Sequence, residues 1–427
     1  MFLANPDGCV GAGQHFVGTD VVKRHFLVVN QYYWPSIAAT SQLVTDLCEQ
    51  LAGQGHQVTV VCSQSAYGVS GTQLRRTENK NGVRILRLPS FSFGRNTNWG
   101  RLLNYGSFSA GLLPTLLGVR NVDVMMSLST PPILASVVLG AARLKKAKFI
   151  YWCQDIYPDI AVALGVLKSN SWIERELNRL KKWTLAKADK VIAPSDGMGS
   201  VLVEKSPCDL VTIPNWSVST PPQSGLSEAQ AALRAQLGIQ PEKKLIIYAG
   251  NMGRAHDFSA LLSCWESSAP QNECEFLLIG DGAKKESLEM AAETGRQNGW
   301  AISFSPYLPK EDLGVLLSMG WVHLLAIDVR ADRLVFPSKL YGILHAGRPT
   351  WLLGPKRSEV GQWILSHGTG VVFDASNKET LRKQIVKALD EPAWLKQQSV
   401  NATRMHREVH ARELALDRFT EVFVEIN

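Results

Sequence analysis

The chain alternates strand and helix signals along most of its length, does so twice, and breaks once in between. Apolar strand-like runs occur at His25–Asn30, Gln57–Cys62, Val83–Leu88, Val122–Leu128, Lys148–Trp152 and Lys190–Ala193. Helical runs lie between them, near Ala38–Gln54, Arg101–Leu117, Ile133–Leu144, Trp172–Lys187 and Gly197–Lys205. Antiparallel sandwiches and helical bundles do not read this way; a parallel sheet covered by helices on both faces does. From Thr212 to Gln240 the composition turns to PNWSVSTPPQSG and a short polar helix, as expected of a linker. The alternation then restarts, with strands at Leu245–Ala249, Glu275–Ile279, Ile302–Phe304, Val322–Ile327, Thr350–Leu353 and Gly370–Phe373, followed by a mostly helical polar tail. The predicted class is α/β, with two doubly wound Rossmann-like domains facing a central cleft at the carboxyl ends of their strands. The division expected is residues 1–22 a leader, 23–215 a first domain, 216–243 a linker, 244–392 a second domain and 393–427 a helical segment.

A length of 427 residues accommodates two ordinary domains, and no period of 20–50 residues suggests a solenoid. Seven cysteines are scattered without a C-x-x-C pair, which suits buried thiols in a reducing compartment. Met1–Val22 lacks a basic start followed by an apolar run, so no secretory signal is expected, and no run of about 18 apolar residues predicts a membrane span. The net charge of +7 is uneven. Residues 1–220 carry 22 Lys and Arg against 14 Asp and Glu, whereas residues 221–427 carry 23 against 24. The first half therefore faces an anionic partner, and a membrane surface fits better than nucleic acid. Lys168, Arg175, Arg179, Lys181, Lys182, Lys187 and Lys190 surround Trp172 and Trp183, and Trp99–Leu117 is apolar with interfacial aromatics. Both stretches suit a helix resting on anionic lipid, or simply a solvated face.

Chemistry-bearing residues fall in the loops after strands. In FPSKLYGILHAGRP (Phe336–Pro349), Pro337 suits a first helical turn, and Ser338 and Lys339 follow where unpaired N–H groups and a full charge can hold an anion. YAGNMGR (Tyr248–Arg254) offers Asn251, close backbone approach at Gly253, and the charged fork of Arg254. IGDG (Ile279–Gly282) supplies Gly280 and Asp281 in a tight turn, and SPYLPK (Ser305–Lys310) puts Tyr307 and Leu308 where a base edge can be met. In the first half, NQYYWPSIAA (Asn30–Ala39) joins strand to helix with small residues Ser36, Ala38 and Ala39. QDIYPD (Gln154–Asp159) places Asp155 and Asp159 after the fifth strand, where each is either a site carboxylate or a helix cap, the cap being preferred for Asp159. The nine histidines form no ligand pattern, and His345 reads as a packed helix residue.

The set QDIYPD, IPNWS (Ile213–Ser217), YAGNMGR, IGDG and FPSKLYGILHAGRP, in this order, resembles the bacterial family 4 glycosyltransferases. The likeness runs from about His25 to about Phe423, toward the O-antigen, capsule and exopolysaccharide enzymes, including the fucosyl and N-acetylfucosaminyl transferase branch. It implies a GT-B fold whose final helix crosses back to the first domain. It implies a retaining, metal-independent transfer from a nucleotide sugar, a UDP-sugar being expected, with no cofactor. The donor would sit on Asn251, Gly253, Arg254, Gly280, Asp281, Tyr307, Leu308, Pro337, Ser338 and Lys339. Asp155, Arg254 and Lys339 would serve catalysis, and Tyr32, Tyr33, Trp34, Ser36, Ala39 and Tyr157 would meet the acceptor. The implied acceptor is polyprenyl-diphosphate-linked or an oligosaccharide, and the implied location is cytoplasmic, at the inner face of the membrane.

The chain departs from the family in three places. Two glutamates spaced eight apart fall at Leu334 and Gly342 here, leaving Glu359 as a carboxylate from the next loop; the usual Gly-Gly pair is replaced around Ser36–Ala39; and Asp155 stands where a histidine is common. These departures keep two other readings open, a nucleotide-binding partner without strong catalysis and a nucleotide-sugar epimerase.

Overall fold

The computed structural model describes residues 23–65, 74–89, 108, 111–219, 224–270, 273–373 and 380–426. The expected leader, most of the Trp99–Leu117 run and part of the linker lie outside them.

The first half opens with β1 (His25–Val29), α1 (Ala39–Gly53), β2 (Gln57–Ser63), β3 (Thr77–Lys80) and β4 (Val83–Leu88). It continues through α2, of which 111–118 are described, β5 (Val124–Leu128), α3 (Leu134–Lys145), β6 (Lys148–Trp152), α4 (Asp159–Ala163), α5 (Trp172–Lys187), β7 (Lys190–Ala193), α6 (Asp196–Lys205) and β8 (Leu210–Thr212). These strands form one sheet in the order β3-β4-β2-β1-β5-β6-β7-β8. All pairs are parallel except β3 with β4. The residues explain the exception. HFLVV of β1 and VMMSL of β5 are buried throughout, as parallel strands covered on both faces must be, whereas TENK of β3 is polar and sits at the edge.

The second half contains α7 (Leu226–Gln236), β9 (Lys244–Ala249), α8 (Ser259–Trp265), β10 (Cys274–Ile279), α9 (Lys285–Gln297), β11 (Ala301–Ser305), α10 (Lys310–Met319) and β12 (Gly320–Ala326). It continues with α11 (Lys339–His345), β13 (Thr350–Leu353), α12 (Glu359–His367), β14 (Gly370–Phe373), α13 (Thr380–Asp390), α14 (Pro392–Val409) and α15 (Arg412–Glu425). Its strands order as β11-β10-β9-β12-β13-β14, all parallel. In both sheets the chain winds outward from a central strand, then returns to wind the other way. The direction reverses between β1 and β5 and between β9 and β12. A crevice opens at the carboxyl ends of the strands at such a reversal.

The two halves are joined by more than the linker. Phe419, Phe423 and Leu416 of α15 sit in the core of the first sheet, with the Trp152, Trp216 and Phe419 rings within 4.7–6.1 Å of one another. Arg24 Nη1 donates to the carbonyls of Phe423 and Ile426. The last helix thus returns to the first sheet, as the resemblance implies. The polar helix α7 packs its Leu233 against Leu316 of α10, on the second sheet. His345 stacks on His406 of α14 at 4.2 Å, which agrees with a packed helix residue.

Candidate active site

The crevices of the two sheets face each other across a cavity of about 580 Å³. The loop after β1 and the start of α1 contribute Ile37, Ala38, Ala39 and Gln42. The loop after β6 contributes Asp155. The irregular segment crossing between the sheets contributes Trp216–Ser219. From the second sheet come Gly250 and Asn251 after β9, Tyr307 and Leu308 after β11, and the Pro337–Lys339 start of α11 with Gly342.

Two lysines line this cavity, Lys310 and Lys339, and Lys339 is the one at the start of α11. Its Nζ donates to Tyr248 Oη and, at 3.2 Å, to the Asn251 carbonyl, and lies 3.8 Å from the Tyr248 ring centre. Tyr248 Oη in turn donates to the Asn251 carbonyl at 2.6 Å. Among the described residues no carboxylate pairs with Lys339. Burial without a counter-charge pushes its ammonium down from the usual 10.5 to about 7. Gly250 makes this seat possible: at φ +125° a Cβ there would lie 2.5 Å from Lys339 Cε. Gly280, also at positive φ, lets its turn press on the Gly250 carbonyl, which a Cβ would meet at 2.2 Å.

Asp155 enters from the other side. Its backbone N–H donates to Ser129 Oγ at 3.1 Å, it forms an isolated antiparallel bridge with Val335, and the next N–H, of Ile156, donates to the Leu334 carbonyl at 2.9 Å. The loop carrying Asp155 is thereby sewn to the loop that begins the Lys339 helix. Burial pushes the Asp155 carboxyl up from 3.8 to about 6. A carboxylate and a lysine, both held away from their ordinary ionisation, therefore share one cleft, as is common at sites of chemistry.

Of the residues expected from sequence, the cavity gathers Asp155, Ala39, Asn251, Tyr307, Leu308, Pro337, Ser338 and Lys339. The others lie elsewhere. Arg254 is exposed on the loop after β9, outside the cavity lining. Gly253 has its N–H occupied by His256 Nδ1, Gly280 donates to the Ser305 carbonyl, and Asp281 receives the Gly282 N–H, so these three shape the loops. Tyr33 is 3% exposed, inside the first core, because α1 packs over it. Tyr32 also stands outside the lining, and Trp34 carries Lys80 over its ring at 4.2 Å. Ser36 takes the Ala38 N–H and the Ser41 hydroxyl to start α1. Tyr157 packs in the apolar cluster around Leu340. Asp159 is the first residue of α4, whose amino end carries no side-chain cap, and it pairs with Lys181 and Lys205; it is an ion-pair residue and not the expected cap.

Glu359 is not at the cavity either. Its carboxylate reaches across to the first sheet, where Oε1 accepts from the Gly197 N–H at 2.6 Å and Oε2 from Ser195 Oγ at 2.9 Å. It thus caps the amino end of α6, where a helix favours an anion. Gly197 admits it, since a Cβ there would lie 2.5 Å from Glu359 Cδ.

Sequence reasoning missed Tyr248 as the lysine's partner, His256 beside it, and the crossing segment as part of the wall. His256 faces the cavity and is driven down to about 3, mainly by burial, with Lys339 adding to it. Among the described residues no group of three or more His, Cys, Asp or Glu is arranged to hold a metal ion, and no helix is long and apolar enough to cross a membrane.

Residues 39–216 match the family described as a glycosyl transferase 4-like domain. The chain is 26% identical over 376 residues, 85% of its own length and 91% of the other's, to WcaI of Escherichia coli (strain K12), whose name assigns it to glycosyl transfer in colanic acid biosynthesis. The fold is shared with sucrose-phosphate synthase of Thermosynechococcus elongatus, at a TM-score of 0.71 and 15% identity over 95% of this chain and 99% of that one. It is also shared with Anabaena HepE in complex with UDP-glucose, at 0.69 and 13% over 94% and 99%. The architecture is GT-B.

Proposed function

We propose that this chain is a bacterial family 4 glycosyltransferase and that it moves a sugar, with retention, from a UDP-sugar to a lipid-linked or oligosaccharide acceptor in the synthesis of a cell-surface polysaccharide. The observation that carries the reading is Lys339, a cation without an acidic partner among the described residues, held at the mouth of a cleft between two nucleotide-type crevices. A pyrophosphate is the natural counter-charge for it. The UDP-glucose complex of HepE, which shares the fold, supports the choice of donor.

In this reading the diphosphate rests against Lys339, with Lys310 a second cation of the cavity lining. Leu308 and Leu313 line the base end of the cavity. The acceptor hydroxyl attacks the anomeric carbon on the face that the diphosphate leaves. The bond from that carbon to the phosphate oxygen breaks, UDP departs with the electron pair, and the hydroxyl proton passes to the departing oxygen. Asp155, ionised above about pH 6, accepts a hydrogen bond from the acceptor hydroxyl and orients it. Lys339 stabilises the charge that grows on the leaving group, a term usually worth about 10²–10³ in rate, and this makes a divalent ion unnecessary.

Lys339→Ala is expected to lower UDP release from a transferable donor by about 10²-fold or more; unchanged turnover would refute the assignment. The first sheet also turns an amphipathic face outward. On α5, Trp172 is 74% and Trp183 40% exposed, beside Arg175, Arg179 and Lys182. This supports peripheral binding to anionic lipid, where the acceptor would be found. Co-sedimentation with phosphatidylglycerol vesicles that resists Trp172→Ala together with Trp183→Ala would contradict it.

A further inference from the structure

We propose that the segment crossing between the two sheets holds the donor's ribose, through the hydroxyls of Ser217 and Ser219. The assignment rests on the nucleoside diphosphate reading above and extends it to two residues that the expected donor set does not contain.

The argument starts on α11. Gly342 follows Lys339 by three residues, so the two lie on one helix face about 4.5 Å apart along the axis. Both line the cavity. Gly342 presents no side chain and borders the crossing segment: a Cβ placed there would lie 3.9 Å from both Ser217 Oγ and Ser219 Oγ, and 3.0 Å from Leu317 Cδ1. In a nucleoside diphosphate the ribose follows the phosphates directly. With the phosphates at Lys339, its 2′,3′-diol comes over Gly342 and within reach of these two hydroxyls, with Leu308, Leu313 and Leu316 beyond for the base.

The hydroxyls are prepared for this. Both serines are 8% exposed. Ser217 Oγ donates to the Ser219 carbonyl at 2.8 Å and accepts the Ser219 N–H at 3.3 Å, which fixes its proton and its position. The only other contact between the pair is a long one, 3.3 Å between the two oxygens. The Ser219 hydroxyl can therefore both give and receive a hydrogen bond, as a sugar diol requires. The segment itself is clamped. Asn215 exchanges amide hydrogen bonds with Gln154 at 2.8 and 3.1 Å, and Trp216 Nε1 donates to Asp46 Oδ2 at 2.9 Å.

The test is calorimetric titration of wild type, Ser217→Ala/Ser219→Ala, and Ser217→Thr/Ser219→Thr with UDP and with 2′,3′-dideoxy-UDP. Wild type is expected to favour UDP about tenfold, the worth of one good hydrogen bond lost. The alanine pair should erase that preference by weakening UDP alone, and the threonine pair, which keeps the hydroxyls, should retain it. Ser219→Ala alone leaves the Ser217 bond to the 219 carbonyl intact and gives the same readout if the double variant melts early. An alanine pair that keeps the preference, or that weakens both ligands equally, overturns the assignment. Wild type that binds neither nucleotide overturns the donor reading itself, and this one with it.

Discussion

Replacing Asp155 by Asn should make the protein more stable and less active, and the gain in stability should grow with pH. Burial raises the Asp155 carboxyl from 3.8 to about 6. Between those values the folded protein binds more protons than the unfolded chain, so stability falls as pH rises through the window, and the full cost is present above about pH 6. A shift of about two pH units corresponds to about 3 kcal/mol, and water in the open cleft reduces this to about 1–3 kcal/mol. The Asn side chain does not titrate, and the backbone bonds to Ser129 and the bridge to Val335 are untouched. The melting temperature of Asp155→Asn should therefore match wild type near pH 4 and exceed it by several degrees at pH 8, at about 2–4 °C per kcal/mol. Differential scanning fluorimetry across that range, beside a donor-turnover assay, reads both effects. A gap independent of pH, or a variant that melts below wild type at pH 8, would show that the carboxylate is not held against its will in the cleft.

Two other expectations follow from the packing. Gly250→Ala forces a side chain onto Lys339 Cε at a φ that favours glycine, and should cost about 1–3 kcal/mol and weaken UDP binding together, read by melting and titration. Glu359→Ala leaves Ser195 Oγ and the Gly197 N–H without their acceptor across the two sheets. It should cost about 1–3 kcal/mol in unfolding while the wild-type ratio of UDP to dideoxy-UDP affinity persists; a changed ratio would put Glu359 at the nucleotide after all.

The strands were readable because parallel strands covered on both faces are continuous apolar runs, and β1, β6 and β13 carry such runs. β3 was not, because TENK at an edge looks like a turn, and β8 was lost at the start of a stretch whose prolines spoke for a linker. In the site, Lys339, Asn251, Leu308 and Asp155 were legible since each follows a strand or opens a helix at the carboxyl end of a sheet. What sequence could not tell was which side of a loop each residue faces. Tyr33 belongs to an aromatic loop motif, yet α1 closes over it. Glu359 looked like a spare carboxylate, yet its partners are 162 and 164 residues away in the chain. Ser217 closes the IPNWS motif, but nothing in the sequence pairs it with Ser219 at the cavity wall; their nearness to Gly342 in the fold does.

The account turns on an ammonium that waits, mostly uncharged at alkaline pH, for an anion. Calorimetric titration of UDP at pH 8 in buffers of differing ionisation enthalpy measures the protons taken up on binding. With Lys339 near 7 in the free protein, the bound diphosphate should recharge it, so close to one proton is taken up per UDP, and Lys339→Met should abolish both the uptake and most of the affinity. Tight UDP binding without proton uptake, and undiminished in Lys339→Met, would contradict the account.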